Sequence, residues 1–264
     1  MNNLKQFTVL IRGAGEMASA VAVVLHRVGL SVIMTELSIP LAIRRTVAFS
    51  DTILDGTTQV EGIQSVRADY DSYLEILNDG KIPILQDSIE IIKNIKPKFY
   101  IDARLLKHMV EDRRLLAQCT IGLGPGFMVG ENCNVIIETM RGHNLGRVIW
   151  QGSASPNTGV PGKLGGESAK RVIYSRGTGN IEWFVDFGEI VEQNQVLGKI
   201  GEIEIKSHIS GIVRGLISPK VNTVIGMKIA DVDPRGKEVD YNTVSDKARC
   251  VGRGVLEAIM VHLK

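Results

Sequence analysis

The chain has little of what marks a membrane-bound, secreted or nucleic-acid-binding protein. No apolar run approaches the roughly 20 residues of a membrane span. The opening "MNNLKQFTVL" has no long apolar core followed by a small-residue cleavage site, so no secretion signal is expected. Cysteines number three, Cys119, Cys133 and Cys250, far apart, with no CxxC pair and no zinc spacing. They read as reduced, small buried side chains in a cytoplasmic protein, with no metal site. An excess of one charge is also missing: 31 basic residues stand against 29 acidic ones, net +2. That balance argues against a dedicated nucleic-acid or membrane-surface partner. With 264 residues, 44% of them hydrophobic, the chain can build one large domain or two smaller ones.

What is present begins with "VLIRGAGEMASA", residues 9–20. Residues 7–12 read as a short buried strand and 16–28 as a helix with Gly29 at its C-cap. Residues 31–36 read as a second strand. Strand, glycine turn, helix, strand is a βαβ unit and implies parallel pairing. Further strands are expected at 82–87, 99–104, 119–124 and 134–139, with helices at 70–78, 88–94 and 105–111 between several of them. This alternation predicts an α/β, Rossmann-like parallel sheet domain over residues 1–165, with ligands near the carboxyl ends of its strands.

Gly13-Ala14-Gly15-Glu16-Met17-Ala18 has the spacing GxGxxA. The first glycine permits a tight turn, the second admits a phosphate to the backbone, and the small third residue lets helix meet strand. A helix N-terminus adds N–H groups and partial positive charge. Glu36 closes the second strand, where an acid commonly holds a ribose hydroxyl. Glu16 opposes a pyrophosphate, and a purely structural turn is the competing reading. Arg44 and Arg45 are a pair suited to bidentate phosphate contacts, or to a solvated helix start. The glycine-rich "GLGPGFMVGEN", with Gly124, Pro125 and Gly126, suits a backbone-lined pocket floor or a plain connector. In "ETMRGHNLGRV", Arg141, His143 and Arg147 share a turn that suits an anion clamp; His143 is a weak candidate for proton transfer. Asp102, ending a strand, is the other candidate acid or base. No Ser-His-Asp order, carboxylate pair or metal-ligand cluster stands out.

After Trp150 the texture changes. "QGSASPNTGVPGKLGGES" reads as a linker or a functional loop. From about 170 to 235 short β-like pieces replace helical periodicity. "GEIVEQNQVLGKIGEI" and "PKVNTVIGMKIADV" look alike. Two such halves resemble a biotinyl/lipoyl domain, a small all-β sandwich-barrel, placed over 166–238. The hairpin "GEIEIKSH" has no Met-Lys pair, and Met227–Lys228 lies inside the second half, so no biotin or lipoate attachment is expected. Residues 239–264 read as a C-terminal helix that packs back, with Ser245 as N-cap, Asp246 in the first turn, and Ala248, Val251, Val255, Ile259 and Leu263 on one stripe.

Several motifs in order carry a resemblance across nearly the whole chain: "GAGEMASAVA", "AIRRTVAFS", "GLGPGF", "ETMRGHNLGRVI", "PNTGVPG", "VRGLI" and "SDKAR". Together they resemble a bacterial family of accessory proteins for selenium-dependent molybdenum hydroxylases. The "GLGPGF…ETMRGHNLGRV" block is also similar to the xanthine dehydrogenase accessory proteins. The resemblance implies maturation of a molybdenum enzyme by a cofactor-handling chaperone. It implies binding of molybdenum cofactor in its pterin dinucleotide form, sulfur or selenium modification, and an apo-hydroxylase client. Under it, Gly13, Gly15, Glu16, Met17 and Glu36 would seat the nucleotide end, Arg44, Arg45 and Arg141 would neutralise phosphates, and Cys133 would be a thiol near the modification. Two other readings stay open: an NAD(P)-dependent oxidoreductase, and a non-catalytic binding or scaffold module. A homo-oligomer also stays open.

Overall fold

The computed structural model describes residues 4–157, 159, 165–167 and 169–264. Part of the expected 151–168 loop therefore lies outside the described residues. The chain divides into two units: Met1–Ser38, Ala48–Asn157 and Val244–Lys264 form the first, Ile39–Val47 and Thr158–Thr243 the second.

In the first unit, β1 (Thr8–Arg12) leads through α1 (Glu16–Arg27) to β2 (Ser31–Glu36). Then follow α2 (Thr52–Asp55), β3 (Thr57–Val60), β4 (Ile63–Arg67), α3 (Tyr73–Asn78), β5 (Ile82–Gln86), α4 (Ile89–Ile95) and β6 (Phe99–Asp102). The last strands are β7 (Cys119–Leu123), β8 (Val135–Ile137) and β9 (Val148–Ile149). All nine form one sheet in the order β3-β4-β5-β2-β1-β6-β7-β8-β9. Pairing is parallel from β4 to β8 and antiparallel at both edges. The interior strands are continuous apolar runs because both faces are covered: Val9, Leu10, Ile11, Ile33, Ile84, Leu85 and Ile101 are wholly buried. Successive strands step outward from β1 to β2 and then β5 on one side, and through β6 and β7 to β8 on the other. The chain changes direction between β1 and β6.

α5 (Asp246–His262) returns to this unit. Ser245 Oγ accepts from the Ala248 N–H and caps it. Its small residues let it lie close to its neighbours. A β-carbon at Gly252 would stand 3.1 Å from the Ala20 carbonyl oxygen of α1, and one at Gly254 would run into the Gly146 carbonyl oxygen.

Among the described residues, the strands of the second unit pair antiparallel. β10 (Val172–Tyr174), β12 (Ile190–Val191), β15 (Gly211–Leu216) and β16 (Lys228–Asp233) form a four-stranded sheet. β11 (Ile181–Trp183), β13 (Val196–Ile200) and β14 (Ile203–Lys206) form a three-stranded one. Ile43 joins their shared core with Val191, Leu197, Val213, Ile217 and Ile229.

The expected fold class is corrected by this topology. The large sheet is a mixed nine-stranded sheet, not a Rossmann-like parallel one, and two separate antiparallel sheets stand where a biotinyl/lipoyl-like barrel was expected. One physical source of the difference is the turn Glu61–Gly62, both residues at positive φ (47° and 84°). A two-residue turn of that hand closes a hairpin, and it adds the antiparallel edge β3–β4. A second is the segment 105–111, expected as a helix. Leu105 has φ +56°, which breaks a helix at its first residue, and no α-helix joins β6 to β7. The two look-alike segments also part company, since β13 and β16 belong to different sheets.

Among the described residues, no helix is long and apolar enough to cross a membrane.

Candidate functional site

The carboxyl ends of β1, β2, β5 and β6 gather charged and polar groups around the glycine turn. Gly13 follows β1 with φ +98°, a conformation only glycine adopts without strain. Its N–H donates to the Thr35 carbonyl at 2.8 Å. The Ala14 N–H donates to Glu36 Oε2 at 2.8 Å, and the Leu37 N–H to Glu36 Oε1 at 2.7 Å. Gly15 stands at the N-terminus of α1 with extended backbone and no side-chain cap. Ser19, one turn into α1, braces the loop: its Oγ donates to the Ala14 carbonyl and accepts from the Phe49 N–H. Glu16 and Met17, half-buried, open the helix.

Two anchored arginines flank the turn. Arg12 ends β1 and forks onto Asp87, with Nε 3.0 Å and Nη2 2.8 Å from the carboxylate. Thr35 Oγ1 donates to the same carboxylate at 2.8 Å. On the neighbouring strand, Asp102 is 1% exposed and accepts from Arg104 Nε at 2.9 Å and Nη2 at 2.6 Å. The Tyr100 hydroxyl reaches Asp102 from within the sheet at 3.4 Å, and burial pushes its pKa up. Burial also raises the pKa of Glu36, and the nearby Asp87 and Asp51 add to that; the Leu37 and Ala14 N–H groups oppose it.

The site residues expected from sequence are thus divided. Gly13, Gly15, Glu16, Met17 and Glu36 meet at one place, and the pairing of Arg12 with Asp102 across β1 and β6 brings Asp102 beside them. Glu36, however, is turned onto the Ala14 and Leu37 N–H groups, so its carboxylate holds the turn instead of waiting for a ribose. Asp102 is committed to Arg104. Gly124 and Gly126 follow β7, one strand farther on, at positive φ. A β-carbon at Gly124 would strike Thr139 Oγ1, and one at Gly126 would stand 2.5 Å from the His108 carbonyl oxygen. Close packing, against the Thr139 side chain at Gly124 and against backbone at Gly126, explains both glycines without a pocket floor. Pro125 between them is half-buried.

Arg141 forks onto Asp246 of α5 at 2.8 and 2.9 Å. His143 is exposed in the turn that follows. Arg44 and Arg45 belong to the second unit, where Arg44 is buried near the Tyr241 carbonyl and Arg45 lies over the Phe187 ring. Cys133 is buried, and burial pushes its thiol up to about 12. Such a thiol is no nucleophile at neutral pH. The second unit also encloses a recess of about 440 Å³, lined among others by Tyr174, Arg176, Glu202, Lys206 and His208.

Reading the sequence missed Arg12, Thr35, Asp87 and Arg104. A signal was there: an arginine directly before the first glycine, and an Asp-Ala-Arg triplet at the end of the "FYIDAR" strand.

No family model matches the chain. It is similar to the uncharacterized protein YqeB of Escherichia coli (strain K12), 44% identical over 255 residues. The match takes in 96% of this chain and 47% of that protein, so the chain spans about half the length of this curated relative. Among solved structures it is similar to a succinylglutamatedesuccinylase/aspartoacylase from Rhodobacter sphaeroides, with 15% identity, 85% of this chain, 84% of that one and a TM-score of 0.27. It is also similar to the product-bound ectoine utilization protein EutE (DoeB) from Ruegeria pomeroyi, with 12% identity, 85% of this chain, 52% of that one and a TM-score of 0.21. Likeness at that level carries nothing about chemistry.

Proposed function

We propose that this chain handles a phosphate-bearing cofactor during maturation of molybdenum hydroxylases, as its motifs suggest, with the pterin dinucleotide form of molybdenum cofactor as ligand and an apo-hydroxylase as client. One observation carries the reading. The Gly13–Gly15 turn sits at the carboxyl end of β1, where the chain changes direction in the sheet, and opens a 12-residue helix with no side-chain cap. Crevices at such reversals are where open α/β sheets take ligands, and a helix N-terminus favours an anion. The residues present fit a phosphate there. Glu36, the residue expected at a ribose, spends one acceptor site of each oxygen on the Ala14 and Leu37 N–H groups and so holds the turn.

When bound, the cofactor supplies the molybdenum–pterin chemistry to its client enzyme; this chain's own residues bind and orient. Gly13 holds the turn, α1 presents its N-terminus, and Glu36 and Ser19 keep the loop in place. An oxidoreductase needs an acid or base at the ligand. Asp102 is forked by Arg104, and His143 is exposed with no contact to the turn among the described residues, which weakens that reading. The scaffold reading is favoured by one contact, Glu36 on the Ala14 N–H, which satisfies a turn donor internally.

Gly15→Asp tests the proposal. Gly15 has φ −70° and ψ −179°, open to any residue, and aspartate is a favoured N-cap. The variant is expected to fold with α1 better capped, while its carboxylate repels a phosphate from the turn. Binding of the dinucleotide cofactor should fall at least tenfold. Unchanged affinity in the folded variant would count against the site.

A further inference from the structure

We propose that this chain forms a two-fold dimer through β14, the edge strand of the second unit's three-stranded sheet; this goes beyond the cofactor-handling reading and does not depend on it. The first observation is an open edge. β14 pairs with β13 on one side and with no strand on the other among the described residues. The recess of about 440 Å³ in this unit is lined by Glu204, Ile205 and Lys206, three consecutive residues of β14. Neighbouring residues of a strand point to opposite faces, so a recess that touches all three runs along the strand's edge. Ile173 and Tyr174 of β10 also line it. The backbone of β14 faces the recess at alternate positions. The Ser207 N–H donates to the Gln195 carbonyl, and the Ser207 carbonyl accepts from the Asn194 N–H, both at 2.9 Å, so position 207 faces the β13 side. Alternation then turns the N–H and C=O groups of Glu204 and Lys206 outward. An open row of that kind is a template for another strand.

Charge selects which strand that is. On the exposed face of the sheet, Glu182 of β11 stands opposite Lys199 of β13, and Lys199 stands opposite Glu204 of β14. Lys199 Nζ lies 3.1 Å from the Glu182 carboxylate. The signs alternate from strand to strand, and the row stops at Glu204. The next strand should bring a cation there. Laid antiparallel on itself about Ile205, β14 does so: the second copy's Lys206 falls opposite Glu204, and the reverse pair follows by symmetry. In the same register Glu202 falls opposite the second copy's His208. Lys206 already pairs with Glu204 along its own strand at 2.9 Å, so the two strands close a square of alternating charges. The register also suits the backbone. Glu204 and Lys206 are the residues with outward N–H and C=O groups, and they become each other's hydrogen-bonded partners. On the opposite face Ile205 meets its own copy, and Ile203, 41% exposed, gains cover. A strand that complements itself in charge and in hydrogen-bond register fits an isologous interface, where one patch serves both subunits.

The test is sedimentation velocity of the full chain over a concentration series, for the wild type and for Glu204→Lys and Lys206→Glu, each alone and mixed one to one. Lys206→Glu sets acid against acid across the two-fold axis, and Glu204→Lys sets lysine against lysine. In the mixture each strand faces the opposite sign. Both side chains are about half exposed, so each variant is expected to fold, with the wild-type circular dichroism spectrum. The proposal expects a wild-type dimer that dissociates on dilution. Each variant alone should raise the dissociation constant about tenfold or more, and the mixture should restore the dimer. A wild type that stays a 28.8 kDa monomer up to about 100 μM overturns the proposal. A dimer that both variants form as readily as the wild type overturns it too, because the contact then lies elsewhere. Two monomeric variants whose mixture stays monomeric overturn the antiparallel register about Ile205. None of these outcomes bears on cofactor binding at the first unit's glycine turn.

Discussion

Asp231 joins two arginines in a buried ion network of the second unit. It is 2% exposed and lies between two buried arginines, with Arg171 Nη1 at 2.6 Å and Arg214 Nη2 at 2.5 Å. Arg214 also reaches Asp233 at 2.8 Å, and Arg235 closes the chain on Asp233 at 2.8 Å. Asp231→Asn keeps the shape and removes the charge, so Arg171 and Arg214 each lose a buried carboxylate partner, while Arg214 keeps Asp233. Removing one partner of a buried ion pair costs about 3–5 kcal/mol. With a urea slope of about 2 kcal/mol/M, the midpoint should drop by about 1.5–2.5 M. The assay is urea unfolding followed by fluorescence of Trp183, whose indole donates to the Ile217 carbonyl inside this unit, in a Trp150→Phe background. Arg235→Gln is the control: that side chain is 40% exposed and Asp233 keeps Arg214, so the cost should stay within about 1 kcal/mol. Burial alone would raise both carboxyls, yet both lie below their ordinary values. The charges of Arg214, Lys228 and Arg171 outweigh burial at Asp231, and at Asp233 the hydrogen bonds it accepts from Arg235 do so, together with the charge of Arg214. A folded pKa below the unfolded one stabilises above about pH 3.9 and is lost as pH falls through the folded value. The wild-type unit should therefore weaken on acidification below about pH 5, and Asp231→Asn should weaken less steeply. A variant with the wild-type midpoint and the wild-type acid slope refutes the network's role.

Two further outcomes follow from packing. Gly254→Ala would normally strengthen a helix by about 1 kcal/mol, but here the new methyl meets the Gly146 carbonyl and Ile137. A net loss of about 1–3 kcal/mol in thermal or urea unfolding is expected, and a stabilised variant contradicts the close docking of α5. Burial pushes the thiols of Cys119 and Cys133 up to about 11 and about 12. In native protein at pH 8, iodoacetamide followed by peptide mass mapping should modify the half-buried Cys250 first. Labelling of Cys133 at the denatured rate would restore it as a reactive thiol.

Local structure was legible where one physical signal dominated. The apolar runs at 7–12 and 31–36 are strands β1 and β2, the 16–28 stripe is α1, and Ser245 with its stripe of apolar residues is α5. These elements bury one face or two, and the spacing of their apolar residues records it. The arrangement of the sheet was not legible. The Glu61–Gly62 turn carries little local apolar pattern around it, and β3 is half exposed, so its hairpin left no periodicity to read. Nor does any local signal say that β13 and β16, so alike in sequence, pair in different sheets. At the site, the glycine turn could be read because a positive φ demands glycine. The partners of Arg12 and Arg104 could not, since Asp87 lies 75 residues from Arg12. Arg44 and Arg45, chosen as a pair just past the second strand, and Arg141, chosen in a glycine-containing turn, have partners that only the tertiary fold supplies. Glu36 shows the same limit: its place at the strand end was legible, but the direction of its carboxylate was not.

The central claim is that the turn after β1 holds a nucleotide-bearing cofactor as cargo. The most direct test is calorimetric titration of the purified chain with the dinucleotide form of molybdenum cofactor, with NADH titrated in parallel and Gly15→Asp as the blocked control. The account predicts tight binding of the pterin dinucleotide, lost in Gly15→Asp, and no heat with NADH. Binding of NADH alone would make the nucleotide a reagent and contradict the account, and silence from both would leave the glycine turn as a structural corner.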